Sequence, residues 1–317
     1  MELKGWRITE NSSHVAAEEV CQMIERAKAL EETGRYEEAA GALSHVWAGP
    51  GARPEVTGLE PSIAAELLLR AGTLTGWVGS AKQIEGAQEE AKNLIGEASA
   101  LFASTGEQAR AANASIDLAI CYWREGALSE ARVILKDVLD RAPDSADVTS
   151  RALLNMSVVE VSANRYRDAL ACLERARPIF DAKEDAVSKG RFHNQLALVL
   201  RNIGSDENRN DLLEAALIEY AAASGYFEQA GHSRYVARVA NNVGHLLFRL
   251  GRYDEAIQHM DRARALLISF SDSGTVAQIN EDRARVFLAM NRHLEAEISA
   301  SKWRFMARKT RARSSLI

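Results

Sequence analysis

Small and apolar side chains recur along this chain at intervals that alternate between helix and turn. In the stretch NNVGHLLFRLGRYDEAIQHMDRARALL, from Asn241 to Leu267, Gly244 is followed by Gly251, Tyr253, Ala256 and Ala263. The arrangement recurs upstream as Leu118, Ala119, Tyr122, Gly126, Leu128, Ala131, Leu135, Val138 and Pro143, and around Asn164, Tyr166, Ala169, Leu173 and Ala176. An earlier copy has Gly34, Tyr36 and Ala39; a late one has Asn291, His293 and Ala296. Each copy predicts a helix, a tight turn at Gly or Asn, and a second helix, because those two residues tolerate the left-handed conformation that ends a helix. The small residues predict close approach. Gly244 and Ala119 bring a first helix near its partner, Ala256 and Ala131 do so from the second helix, and Ala263 and Val138 meet the next unit. A large side chain at Ala256 would overpack that contact at a cost of about 1–3 kcal/mol.

These spacings resemble the tetratricopeptide repeat, a helix–turn–helix unit of about 34 residues. The best copies are 112–143 and 237–268, and the resemblance runs from about 18 to 300. Two units are longer. Gly79, Ser80, Phe102 and Gly106 align with Gly204, Ser205, Phe227 and Gly231 at an offset of 125 residues, and the same offset pairs Gly126 with Gly251 and Trp123 with Phe248. About eight extra residues precede the small-residue face of the second helix in both long copies (Ala91, Ile95, Ala98; Ala216, Tyr220, Ala223). The resemblance implies an all-α, right-handed superhelix of about seven helix pairs. They are expected near 18–47, 62–105, 109–141, 147–181, 186–230, 233–270 and 274–307, after an N-terminal extension over 1–17. No pair buries its apolar face alone, so neighbours complete one another's core.

Composition fits this picture. Aromatic residues make up 6% of the 317 residues and there are only five prolines, a mix that favours helix over sheet. Gly49, Pro50, Gly51, Pro54, Gly58 and Pro61 crowd one stretch, which predicts a loop after the first pair. Pro178 is expected to end or kink the second helix of the fourth pair. A net charge of −5 argues against a chain that binds nucleic acid over its whole surface. The basic end is the exception: six Lys or Arg fall between Lys302 and Arg313 with no acid, and Trp303 stands where other units place a small residue. A disordered basic tail is expected over 308–317. No apolar run reaches the roughly 18 residues of a membrane span, and the N-terminus lacks the apolar core of an export signal. Cys21, Cys121 and Cys172 lie far apart without a CxxC pair, which predicts packed, reduced thiols and a cytoplasmic location.

The chemistry of the side chains points to binding. HExxH, GxSxG and Walker-type glycine loops are absent, so neither catalysis nor a cofactor is expected. Asp206, Asn208 and Asn210 have calcium-loop spacing, but Asp211 and Leu217 stand where glycine and glutamate are required. His193 is expected to be a hydrogen-bonding group beside a groove. In the family that the repeats resemble, first helices line a concave groove. By this register that face carries Arg191, Asn194, Gln195, Arg201 and Asn202, then Arg238, Asn241, Asn242, His245 and Arg249. An amide both donates and accepts, so it can satisfy the two polar groups of an extended peptide, and the arginines favour a carboxylate. The resemblance is to the repeat regions of bacterial regulatory proteins and implies a scaffold for a protein or peptide partner, one that senses or relays. With only about 17 residues before the first pair, no attached effector domain is expected. The competing classes are an enzyme built on the long pairs and a nucleic-acid binder using the basic tail; ordinary bonding between helices is the plainer account of the amides.

Overall fold

The computed structural model describes residues 17–141, 145–270 and 273–301. All its regular structure is helical: α1 (Ala17–Glu32), α2 (Tyr36–Ala42), α3 (Pro61–Lys82), α4 (Ala87–Ser104), α5 (Gln108–Arg124), α6 (Leu128–Arg141), α7 (Ala146–Ser162), α8 (Tyr166–Asp181), α9 (Ala186–Asp206), α10 (Asn210–Gln229), α11 (Ser233–Arg249), α12 (Tyr253–Ser269) and α13 (Ser273–Ala289). A fourteenth helix, α14, occupies 293–301. Consecutive helices pair antiparallel, and the seven pairs stack into an all-α superhelix. The basic tail, Trp303 and the extension before residue 17 lie outside the described residues.

The turns follow the side chains that permit them. Gly126 and Gly251 take φ of +82° and +74°, and Asn164 and Asn291 take +57° and +58° at the equivalent turns. In the long pairs Gln83 and Asn208, again 125 residues apart, are left-handed, and Gly86 joins Gln83 in the first of them. In the second long pair the extra residues extend both helices by about a turn: α9 has 21 residues and α10 has 20, against 17 each for α11 and α12. Gly79 and Gly204 therefore lie inside helices, where the missing side chain brings the second helix close. A Cβ on Gly79 would stand 2.3 Å from the Cβ of Ala87. Gly244 plays the same part against α12, where a Cβ would meet Met260 Cγ at 2.7 Å. Pro178 does not end α8, which continues to Asp181.

The core is a row of apolar clusters strung along the array, joining each pair to the next. Ala256, Met260 and Ala263 of α12 pack with Ala237, Ala240 and Ile279, and Ala131, Leu135 and Val138 of α6 pack with Ile116 and Ala152. Cys121 is buried in a different cluster, with Leu94, Ala98 and Ala114, and burial pushes its thiol up to about 12; it forms no disulfide.

The array also curls back on itself. The turn before α2 meets the start of α11, nearly 200 residues away in sequence. Arg234 Nη2 donates to Glu37 Oε2 at 2.6 Å, and its guanidinium lies 5.4 Å from the Tyr36 ring centroid and 4.6 Å from that of Phe270. Gly34, at φ +75°, sits so close to the His232 ring that a Cβ would come within 2.4 Å of Cε1. α3 and α13 are also in contact.

Candidate functional site

Closure of the superhelix turns its inner face into a chamber of about 670 Å³, within the roughly 300–1,000 Å³ usual for ligand sites. First helices supply most of the wall: Trp77 from α3, Trp123 and Arg124 from α5, Asn155 from α7, Arg191, Asn194 and Gln195 from α9, and Arg238, Asn241 and Asn242 from α11. Tyr36, Arg234 and Tyr235 come from the seam. A second cavity of about 390 Å³ continues the inner face, sharing Leu154 and Arg191 with the first.

Of the ten residues that the repeat register assigned to this face, Arg191, Asn194, Gln195, Arg238, Asn241 and Asn242 line the chamber. Arg201, Asn202, His245 and Arg249 do not. His245 Nε2 instead lies 3.0 Å from the buried Asp282, Arg201 Nη2 donates to Asn202 Oδ1 at 3.4 Å, and Arg249 is exposed. His193 also serves a neighbour, with Nδ1 2.6 Å from Glu219 Oε2 and its ring stacked on Tyr226.

The amides that face the chamber are only partly satisfied by the protein. Asn242 Nδ2 donates to Asn194 Oδ1 at 3.2 Å, bridging α11 and α9. Gln195 Nε2 and Asn241 Oδ1 are buried without a hydrogen-bond partner among the described residues. One is a donor and the other an acceptor, and leaving such groups unpaired costs about 1–3 kcal/mol each.

Aromatic side chains and arginines complete the wall. Tyr36 stacks on Trp77 at 4.9 Å with an interplanar angle of 11°, and the Arg124 guanidinium lies 4.2 Å from the Trp77 centroid. Burial pushes the Tyr36 phenol well above its ordinary pKa. Burial alone would do the same to Tyr235, but Arg191 and Arg238, the Tyr36 hydroxyl and Arg124 bring it below the usual value. His232 is pushed down to about 4 by burial, reinforced by Arg191, Arg238 and Arg234.

Register reasoning missed Arg124, Trp77 and the seam residues. The 125-residue offset held a signal for the first two: Arg124 and Trp77 are the counterparts of Arg249 and Asn202. The counterparts differ in the room that the neighbouring helix leaves them. Gly76 leaves a space in α3, and a Cβ there would stand 2.9 Å from Arg124 Nη1; its counterpart in α9 is Arg201. The two halves also differ along the face itself. Arg191, Asn194 and Gln195 correspond to Glu66, Leu69 and Arg70, which line the second cavity. There the charges are paired internally: Arg70 Nη1 lies 3.1 Å from Glu31 Oε2, and Arg110 holds Glu66.

The family model for the tetratricopeptide repeat matches residues 195–269 and 235–301. Among curated proteins no sequence matches this one. Solved structures share the fold at low identity. The Rap conjugation gene regulator of plasmid pLS20, in complex with a peptide, is 13% identical with a TM-score of 0.61, over 98% of this chain and 80% of that one. Aspartyl phosphate phosphatase F from Bacillus subtilis is 14% identical with a TM-score of 0.59, over 91% and 70%. A signal-transduction ATPase with a tetratricopeptide repeat sensor, from Pyrococcus horikoshii, is 14% identical with a TM-score of 0.58, over 89% of this chain and 41% of that one. Among the described residues no helix is long and apolar enough to cross a membrane.

Proposed function

We propose that this tetratricopeptide-repeat protein is a scaffold that binds an extended peptide segment in its central chamber, as the sensing or interaction part of a regulatory system. The observation that carries the reading is the pair Gln195 and Asn241, residues on adjacent pairs that line one cavity and whose Nε2 donor and Oδ1 acceptor have no hydrogen-bond partner among the described residues. A peptide backbone offers the complementary acceptor and donor at each residue. Trp77 and Trp123 supply apolar contact for side chains, as small-ligand sites require. The fold's similarity to a regulator solved with a peptide and to a sensor region supports the same reading. In this role the protein holds its ligand and does no chemistry on it.

The test is capture of a degenerate pool of synthetic heptapeptides on the immobilised protein, with bound species identified by mass spectrometry. Asn241→Ala and Gln195→Ala are expected to lose about 1–3 kcal/mol of binding each while melting within a degree or two of the parent. Equal capture by parent and variants, with stability lost instead, would show that the amides only hold helices together.

A further inference from the structure

We infer that Ile120, Trp123, Val158 and Leu198 form a seat for one large apolar side chain, so that the peptide held in the chamber carries Leu, Ile, Met or Phe beside the residues its backbone pairs with the amides. The inference deepens the peptide-binding reading and rests on it.

The wall of the chamber is divided. On α9 and α11 it is mostly amides and guanidinium groups, whereas on α5 and α7 it is hydrocarbon apart from Arg124 and Asn155. The four seat residues all line the cavity and are only half-buried. They come from neighbouring helices, since α7 touches both α5 and α9. The polar groups at the seat are already engaged. Trp123 Nε1, the one polar side-chain atom among the four residues, donates to Ser162 Oγ at 2.7 Å, and the Arg124 guanidinium lies over the Trp77 ring. A polar group placed here would lose its water without gaining a hydrogen bond. An apolar one gains by covering hydrocarbon that is otherwise wet.

The neighbouring amides indicate what delivers that group. Val158 follows Asn155 by three residues on α7, and Leu198 follows Gln195 by three on α9. Residues so spaced share a helix face, one turn or about 5.4 Å apart. As first helices of successive pairs, α7 and α9 run the same way, so a row of amides lies alongside a row of aliphatic side chains. In an extended backbone successive side chains leave on opposite sides, so a strand bonded to the amide row directs alternate residues at the apolar row. The sixth pair fills the same positions differently. The counterparts of Ile120 and Trp123, 125 residues on, are His245 and Phe248. His245 turns to Asp282 at 3.0 Å, the Phe248 ring lies 5.8 Å from that of Tyr253, and neither lines the chamber. There the protein engages its own side chains; on α5 it leaves them facing the cavity.

Three pools of N-acetylated, C-terminally amidated heptapeptides test the seat. Each is degenerate in Gly, Ser, Asn and Gln except at the central residue, which is Leu or Phe in the first pool, Ala in the second and Gln in the third. Binding to the immobilised full chain is read by retention. The expected result is retention of the first pool at least tenfold above the other two. Val158→Thr, which keeps the shape and adds a hydroxyl, and separately Leu198→Gln should cut that preference at least threefold without lowering the melting temperature of the ligand-free protein. Val133→Thr, at an exposed position on α6 outside the cavity, should keep it. Equal retention of all three pools would overturn the seat and leave the peptide reading standing. Retention of none would overturn both. A preference that survives in both seat variants, or a fall in ligand-free stability in both, would also overturn the seat.

Discussion

Around His232 a proton has no favourable place. The ring is buried, its Nδ1 accepts from the backbone N–H of Tyr235 at 3.3 Å, and three arginines lie within electrostatic reach. Its pKa of about 4, below the ordinary imidazole value of 6.5, means that the unfolded chain takes up the proton first. The stability it contributes is therefore complete above about pH 6.5 and is lost as the pH falls toward 4, on the order of 3 kcal/mol. Glu31 works in the opposite sense. Burial, only partly offset by Arg70, raises its carboxyl to about 7, so its contribution is present below the ordinary carboxylate range and lost as the pH rises through 7. The comparison that isolates His232 is parent against His232→Gln in melts between pH 4 and 7. The gap between the two should narrow on acidification, and a constant gap would mean that His232 does not titrate in this window. At this scale the sequence was informative where a residue's place follows from its own helix. Asn194 and Asn241 were legible because a first-helix register fixes their direction. Arg124 was not, because its position depends on a space left by Gly76 on a different helix.

Elements carry the repeat's logic in their turns, and the turn before α2 carries more than its own geometry. Gly34 and Gly126 both adopt positive φ, but a Cβ on Gly126 meets nothing within 4 Å, whereas one on Gly34 runs into the His232 ring. Gly126→Ala should cost about 1–2 kcal/mol, the usual penalty for an L-residue in the left-handed region. Gly34→Ala should cost clearly more in the same chemical melt, because the seam must also give way. Equal costs would show that the contact across the seam contributes nothing. The helix–turn–helix rhythm was readable from Gly, Asn and Ala spacings alone, since those residues answer to local backbone and contact requirements. The long pairs were harder to read. Gln83 is not a turn-forming residue by composition, and its left-handed φ is set by the helices it joins.

The curl of the whole array could not be read from any single repeat. It depends on Glu37 and Arg234, on Tyr36 between Trp77 and Tyr235, and on the approach of α13 to α3, all contacts between distant units. A linear register treats every pair as equivalent and contains no term for them. Reversing one charge tests the closure: Glu37→Arg places two guanidinium groups together and should increase the radius of gyration measured by small-angle scattering. An unchanged radius would mean that apolar contacts alone hold the seam. Closure also alters how the molecule comes apart. In an open stack each unit answers only to its immediate neighbours, so terminal units fray independently of distant ones. Here the first pair and the sixth are neighbours too, which gives that stretch of the array the boundary conditions of a hoop. Amide hydrogens of α1 and α2 should therefore exchange in step with those of α11, and Glu37→Arg should uncouple the two, leaving α1 and α2 to exchange first.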